Sequence, residues 1–175
     1  MRKHQLVLCL LLLLVFTILQ TTLVPRVGGL LKHVDLVLVW TTTYALLLGP
    51  SQGAALGLGA GLLRGIVSGP TLGIYGVALY IIGYCVGQFS RLMYRFSRLV
   101  PLVVGMVATV AYWLLMTLLV GGFYGFWIGG LFWLGLPIAI LLNGFLTAVS
   151  YALLSSHHMR QRDGKGRGEA DGRAF

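Results

Sequence analysis

Residues 49–73 read GPSQGAALGLGAGLLRGIVSGPTLG, with a glycine at every fourth position. A helix advances about 100° per residue, so a step of four returns almost to the same face. The pattern predicts a helix from about Ser51 to Val67 that carries one ridge free of side chains. In water each glycine would destabilise this helix by about 1 kcal/mol relative to alanine, whereas in lipid the ridge lets another helix approach to backbone contact. The glycine ridge consists of Gly53, Gly57, Gly61 and Gly65.

Turn residues flank the predicted helix at both ends. Pro50 suits the first helical turn, where its missing N–H costs little, and Pro70 is expected to end the helix. Gly49, Gly69 and Gly73 continue the spacing into the flanking turns. The ridge either packs within the protein's own helix bundle, which we favour, or binds a helix of a partner.

The composition predicts an all-α polytopic membrane protein. The chain has 175 residues, of which 58% are hydrophobic and only 10% are charged. Its formal net charge of +9 would suggest nucleic acid in a soluble protein. Here the basic residues cluster at the ends of apolar segments, which indicates membrane topology and contact with anionic lipid. We therefore expect no nucleic-acid partner.

Apolar segments predict about six transmembrane helices in one domain, residues 1–155. The first segment lacks a signal-peptide cleavage site and is interpreted as an uncleaved span. Asp35 is expected to cap the second span, Pro137 to interrupt the sixth, and residues 121–131 to form an interfacial belt or a re-entrant turn. Polar residues 156–175 are expected to form a disordered tail. The predicted spans are approximately 5–24, 34–48, 51–67, 72–89, 99–120 and 132–154.

The distribution of basic residues predicts the orientation of these spans. With the amino terminus inside, ten of the 13 Lys and Arg residues fall on the inner side, because only Arg26, Lys32 and Arg64 do not. Inner segments of membrane proteins carry an excess of such residues. Both termini are therefore predicted to be cytoplasmic.

Few residues suit catalysis or metal binding. Asp35 is the one acidic residue outside the tail, so no carboxylate pair is available for general acid–base catalysis. The four histidines lie at membrane edges, and a closed metal site usually needs three or four ligands. We predict no enzymatic activity, no cofactor and no metal.

Three polar features fall within or beside the predicted spans. Arg64 lies near the outer end of the glycine helix, and we expect it to extend to the membrane surface in preference to binding a partner. Asn143 and Gln20 are expected to hydrogen-bond between helices, although either amide could line a ligand pocket. Arg91, Arg95 and Arg98 form a basic loop that anchors the topology or contacts anionic lipid or an acidic partner.

Glycine spacing also marks the fourth span. Gly83 and Gly87 repeat the four-residue step on a smaller scale. The residues predicted to pack helices or bind a partner are Gly53, Gly57, Gly61, Gly65, Gly83 and Gly87. Within this set Gly57 and Gly61 lie at mid-helix, so we expect the closest backbone approach there.

The stretch GLLRGIVSGPTLGIYGVALYIIGYCVG, residues 61–87, resembles the central signature of the MreD family of rod shape-determining membrane proteins. Supporting similarities are residues 20–23, the opening of the second span at Asp35, and the run from Pro137 to Asn143. Family members commonly carry an aspartate at the position of Gly65. This chain has glycine there, preceded by Arg64, so a family contact made by that aspartate is absent or reversed in charge.

The resemblance implies a non-enzymatic scaffold in the bacterial cytoplasmic membrane, within the machinery of cell-wall elongation. Implied partners are an MreC-like periplasmic scaffold, the MreB filament, and the glycan polymerase and transpeptidase pair. The family is also similar in fold to substrate-binding subunits of energy-coupling-factor vitamin transporters. This gives the alternative, a subunit that binds a small molecule, with Arg64, Tyr75, Trp127 and Asn143 as candidate ligand contacts.

Overall fold

The computed structural model describes residues 15–20, 22, 33–68, 73–92, 99–125 and 135–171. Every regular element in these ranges is a helix, which confirms the predicted all-α class. Residues 15–20 are helical and precede five longer helices. These are α1 (Leu36–Leu48), α2 (Pro50–Ser68), α3 (Ile74–Leu92), α4 (Val100–Tyr124) and α5 (Leu136–Asp171).

Helix α1 lies at the centre of the bundle. It contacts each of the other four long helices. All of its residues from Val37 to Leu46 are buried, so the helix has no face left for solvent or lipid. With 13 residues it is about 20 Å long, which is shorter than a hydrocarbon core of about 30 Å. Asp35 caps its amino terminus, as the sequence predicts.

A single residue, Gly49, connects α1 to α2. Its φ of +87° lies in the left-handed region that favours glycine, and its N–H donates to the carbonyl of Ala45. Pro50 follows as the first residue of α2, where a missing N–H costs little. The two helices are thereby folded back on each other, with Gly53 of α2 against Ala45 of α1.

The glycine ridge is packed inside the bundle, mainly against α3. A Cβ atom added at Gly53 would lie 2.7 Å from the carbonyl oxygen of Gly83. One added at Gly57 or Gly61 would clash with the carbonyl of Leu79 or Tyr75, respectively. The predicted helix bounds are confirmed to within one residue, and internal packing is the use of the ridge that the structure shows.

A second glycine contact joins α4 to α5. A Cβ atom at Gly105 would lie 2.7 Å from Thr147 Oγ1 and 3.0 Å from the Cα of Gly144. A Cβ at Gly144 would in turn lie 2.6 Å from Met106 Cγ. The two helices therefore also pack closely, although less closely than α2 and α3, and their sequences show no repeated glycine step.

Three predicted boundaries differ from the structure. Pro137 is the second residue of α5 and does not interrupt a helix, because a proline in the first turn displaces no hydrogen bond. Helix α4 continues through residues 121–124 instead of ending at Val120, and the rest of the predicted belt, residues 126–131, lies outside the described residues. Helix α5 continues through Asp171, where we expected a disordered tail, since extending a formed helix is easier than starting one.

Two of the helices are long and apolar enough to cross a membrane. They are Val100–Phe123 in α4 and Leu136–Ser155 in α5, while Leu36–Leu48 and Ile74–Ser90 are apolar but shorter. Only 28% of the most apolar 18-residue stretch of α4 is buried, and only 22% of that of α5. The core helix of a soluble protein would be mostly buried, so their exposure favours contact with lipid.

The exposed faces of the long helices are rich in large apolar side chains. Within α4 these are Val103, Val107, Leu114, Leu118 and Phe123. Within α5 they are Leu141, Phe145, Val149 and Leu153. In water such faces would form an unfavourable apolar surface, whereas a bilayer would solvate them.

Candidate functional site

The polar side chains of the bundle converge on Asp35, at the amino terminus of α1. Its Oδ1 accepts from the N–H of Leu38 at 3.0 Å, which is the cap of the helix. Its Oδ2 accepts from Arg64 of α2, and its own backbone N–H donates to Asn143 of α5. One residue therefore connects three helices. We define the Asp35 cluster as Gln20, Asp35, Arg64, Tyr75, Tyr112 and Asn143.

Arg64 forms a buried ion pair with Asp35. Their side chains are 16% and 11% exposed, respectively, so both charges are largely removed from solvent. Our expectation that Arg64 extends to the membrane surface was wrong. An unpaired guanidinium inside a bundle would be costly, and the carboxylate one helix away offers it a charge-assisted hydrogen bond.

Two tyrosines surround the ion pair. The guanidinium of Arg64 lies over the ring of Tyr75 from α3, 4.7 Å from its centroid, in a cation–π contact. Tyr112 of α4 is 4% exposed and interacts electrostatically with both Arg64 and Asp35. The charged pair is thus flanked by side chains from two further helices, α3 and α4.

Asn143 and Gln20 bind the backbone where α1 begins. Asn143 is 1% exposed, and its Oδ1 accepts from the N–H of Asp35 at 2.9 Å. Gln20 donates to the carbonyl of Val34 and accepts from the N–H of Leu36, both at 2.8 Å. The predicted interhelical hydrogen bonds of both amides are present. The two amides thereby satisfy backbone groups of residues 34–36, which the hydrogen bonds within α1 leave free.

The cluster lies about 20 Å from the turn at Gly49. Arg64 is 14 residues beyond Pro50 along α2, and α1 has the same length between Asp35 and Gly49. Asn143 lies seven residues after the start of α5, or about 10 Å into that helix. The ion pair therefore lies inside the bundle, closer to the ends at which α1 and α5 begin.

The chemistry of this arrangement is that of a closed, neutral polar core. Asp35 supplies one negative charge and Arg64 one positive charge, and each satisfies the other. A second carboxylate, which acid–base catalysis between paired acids requires, does not occur among the described members of the cluster. Within the described part of the chain, no three His, Cys, Asp or Glu side chains come together.

The remaining predicted site residues lie apart from the cluster. Gly53, Gly57, Gly61, Gly83 and Gly87 are buried at the contact between α2 and its neighbours, and Gly65 is buried as well. These glycines are therefore used for packing within the bundle, which is the use that we favoured, and they are not open to a partner helix. Arg91 lies in the last turn of α3, whereas Arg95, Arg98 and Trp127 lie outside the described residues.

Sequence reasoning missed Asp35 as the centre of the site and missed Tyr112 entirely. The signal for Asp35 was present: it is the one acidic residue near the predicted spans, and Arg64 is the one basic residue within them. Charged residues inside membranes usually pair with one another, so the two should have been joined. Tyr112 carries no such signal, because a tyrosine in an apolar helix is common.

Within the described residues, the fold and site together define an all-helical protein with an ion pair buried inside its bundle and two helices long and apolar enough to cross a membrane. Comparison with known proteins found no matching family model, curated protein or solved structure.

Proposed function

We propose that the protein is a non-enzymatic, multi-pass scaffold of the bacterial cytoplasmic membrane, of the MreD type. It crosses the membrane about six times with both termini in the cytoplasm. Its role is to bind partner proteins of the wall-elongation machinery through its membrane helices and so to maintain cell shape. The resemblance of residues 61–87 and the apolar outer faces of α4 and α5 support this proposal.

The observation that carries the proposal is the outward face of α2. Ser51 and Ala55 are exposed, and Gly59 has no atom within 4 Å of an added Cβ. These three residues are four apart, so they form a second stripe of small residues, offset from the buried ridge. Small residues at this spacing let a membrane helix approach closely. The stripe replaces the ridge as the proposed contact for the single span of an MreC-like partner.

A polar strip is also exposed on α3. Tyr80 and Tyr84 are exposed, and Tyr84 accepts a hydrogen bond from Gln88 at 3.0 Å. The exposed surface around it is mostly apolar, on α2 and α3 as well as on α4 and α5. Polar groups that face lipid are unfavourable unless a neighbouring helix binds them, so Tyr80, Tyr84 and Gln88 are suitable contacts for a protein partner.

The proposal is tested by enlarging the small residues of the stripe in the full-length protein. We expect Ala55→Leu combined with Gly59→Leu to leave folding intact, because both positions are open, and to reduce co-purification of an MreC-like protein at least tenfold. Ala152→Leu is the matched control, since Ala152 is exposed on α5. Equal recovery of the MreC-like protein with both variants would contradict the proposed contact.

The other proposed partners are the MreB filament, the polymerase and transpeptidase pair, and anionic lipid. The basic loop of Arg91, Arg95 and Arg98 is the proposed contact for components at the inner face. Neutralising all three residues is expected to weaken binding to vesicles that contain anionic lipid, as charge attraction predicts. Reporter fusions at both termini test the orientation, since both should report the cytoplasm.

One observation favours the alternative, a membrane subunit that binds a vitamin-like molecule. Three of its four candidate contacts, Arg64, Tyr75 and Asn143, come together at Asp35. Against it, Asp35 already satisfies the charge of Arg64, and the cluster is nearly closed to solvent. Thermal-shift screening with vitamins and lipid-linked wall precursors separates the two functions. A selective stabiliser that loses its effect in Arg64→Met would favour the alternative.

A further inference from the structure

Two hydrogen-bond donors in the Asp35 cluster have no partner. Asn143 Nδ2 and the hydroxyl of Tyr112 are buried, and neither meets an acceptor among the residues that the structure describes. The orientation of the Asn143 amide is determined by its contact, because only its oxygen can accept from the N–H of Asp35. Both N–H groups of Nδ2 therefore remain available.

Unpaired donors at this depth are unusual in proteins. Most buried polar atoms are hydrogen-bonded, and an exception calls for a specific explanation such as a bound molecule. Trp40 Nε1 and Thr41 Oγ1 are also unpaired, but both lie one to two turns deeper along α1. Trp40 packs against the rings of Phe16 and Tyr44. Among the described residues, Asn143 and Tyr112 are the two members of the Asp35 cluster with a buried free donor: Asn143 hydrogen-bonds to the backbone of Asp35, and Tyr112 interacts electrostatically with both charges of the pair.

The charges nearby limit what can bind. Asp35 and Arg64 neutralise each other, and Tyr112 interacts electrostatically with both. An oxyanion would bring a second negative charge next to the Asp35 carboxylate, in surroundings where like charges are poorly screened. A cation would meet the donors of Arg64, Tyr112 and Asn143 and find no free carboxylate. An uncharged acceptor satisfies the donors without disturbing the pair.

We propose that Tyr112 and Asn143 form a binding site for an uncharged oxygen acceptor beside the Asp35–Arg64 ion pair. The acceptor receives hydrogen bonds from the Tyr112 hydroxyl and from Asn143 Nδ2. Its oxygen belongs either to a water molecule or to the carbonyl group of a small neutral molecule. This site goes beyond the scaffold role and does not depend on it.

The first test measures the unfolding equilibrium of the full-length protein in mixed detergent micelles. Tyr112→Phe removes one hydroxyl without changing the shape of the side chain. If the hydroxyl binds an acceptor, the substitution should raise the unfolding constant about 5- to 30-fold, the effect of losing one buried hydrogen bond. Tyr80→Phe is the matched control, because that hydroxyl is on an exposed residue, and its effect should be below threefold. An unchanged or lower unfolding constant for Tyr112→Phe would overturn the proposal.

A second measurement asks whether Tyr112 and Asn143 share the occupant. In a double-mutant cycle with Asn143→Leu, the combined effect should be at least threefold smaller than the product of the single effects, because either substitution disrupts the same bound oxygen. Strictly multiplicative effects would mean that the two donors are independent, and the shared site would be wrong.

Two small probes distinguish the sources of the oxygen. Acetamide presents a neutral carbonyl, and acetate has nearly the same shape with a negative charge. If acetamide raises the melting temperature of the wild type but not of Tyr112→Phe, the site takes a carbonyl group. If acetamide has no effect while Tyr112→Phe remains destabilised, the occupant is water. Stabilisation by acetate in excess of acetamide, at matched ionic strength, would overturn the assignment of a neutral ligand.

Discussion

Two regions hold the helices of the bundle together in opposite ways. One is the glycine contact between α2 and α3, and the other is the Asp35 cluster. At the first, glycines remove side chains, so that the backbone of Gly57 meets the carbonyl of Leu79. At the second, side chains from three helices and from residues 15–20 meet at Asp35. The glycine contact depends on shape alone, whereas the cluster depends on charge and hydrogen bonding.

This difference determines how each region fails. A contact made of backbone tolerates no added atoms, because a helix backbone cannot move aside as a flexible side chain can. The cluster is disrupted when atoms are removed, since each loss leaves a buried polar group without its partner. Added volume should therefore damage the ridge more than any single deletion damages the cluster.

The largest effect is expected from Gly57→Leu. Its side chain would have to occupy the space held by the Leu79 carbonyl and would also meet Thr41 Cγ2, which lies 3.2 Å from an added Cβ. We expect a loss of more than about 4 kcal/mol in the free energy of unfolding, enough to prevent folding. Circular dichroism and gel filtration of the purified protein measure this loss.

Gly59→Leu is the control for this substitution. It lies on the same helix two residues away, and an added Cβ there meets no atom within 4 Å. The same change of residue should therefore leave the fold intact. Comparable damage at both positions would show that close backbone contact does not determine the outcome, since leucine favours a helix more than glycine does.

The next largest effect is expected from breaking the ion pair. Arg64→Met leaves the buried Asp35 carboxylate without its counter-charge, and we expect a loss of about 3–5 kcal/mol in unfolding free energy. Adding Asp35→Asn should restore much of it, because asparagine keeps the helix cap and carries no charge. Equilibrium unfolding of the two variants and the wild type measures the recovery. A double variant less stable than Arg64→Met would contradict the ion pair as the source of the loss.

How far the sequence predicts this fold depends on the kind of contact. The ridge was predictable from spacing, because a four-residue step maps directly onto one helix face and Gly53 to Gly61 are close in sequence. The helix that packs against the ridge was not predictable, since nothing in residues 49–73 indicates which neighbouring helix does so. The contact of Gly105 with Gly144 and Thr147 was missed because single glycines 39 positions apart show no period.

The cluster was predictable only in its parts. Gln20, Arg64 and Asn143 were each recognised as polar residues in apolar surroundings, and Asp35 was recognised as a helix cap. Joining them requires contacts between residues 14 to 108 positions apart, which depend on how four helices pack. The pairing of Asp35 with Arg64 is the exception, because their opposite charges in apolar surroundings suffice to predict it.

A smaller effect is expected from Asn143→Leu. It removes the acceptor for the N–H of Asp35 but leaves the ion pair in place. We expect a loss of about 1–2 kcal/mol in unfolding free energy, as for other buried hydrogen bonds between membrane helices. Thr147→Val is the matched control on α5, since the Thr147 hydroxyl donates to the carbonyl of Asn143 within the same helix. Equal losses would mean that the interhelical bond of Asn143 adds nothing to the cluster.

The smallest effect is expected from Gln20→Leu, at the edge of the cluster. Gln20 is only partly buried, so the backbone groups of Val34 and Leu36 can find other partners when its amide is removed. We expect a loss of about 0.5–1 kcal/mol in unfolding free energy, together with faster hydrogen exchange at the N–H of Leu36. Gln88→Leu is the control, because its hydrogen bond to Tyr84 lies within α3 and should not affect that exchange. If Gln20→Leu leaves the exchange at Leu36 unchanged, residues 15–20 do not stabilise the start of α1, and the cluster reduces to Asp35 with Arg64 and Asn143.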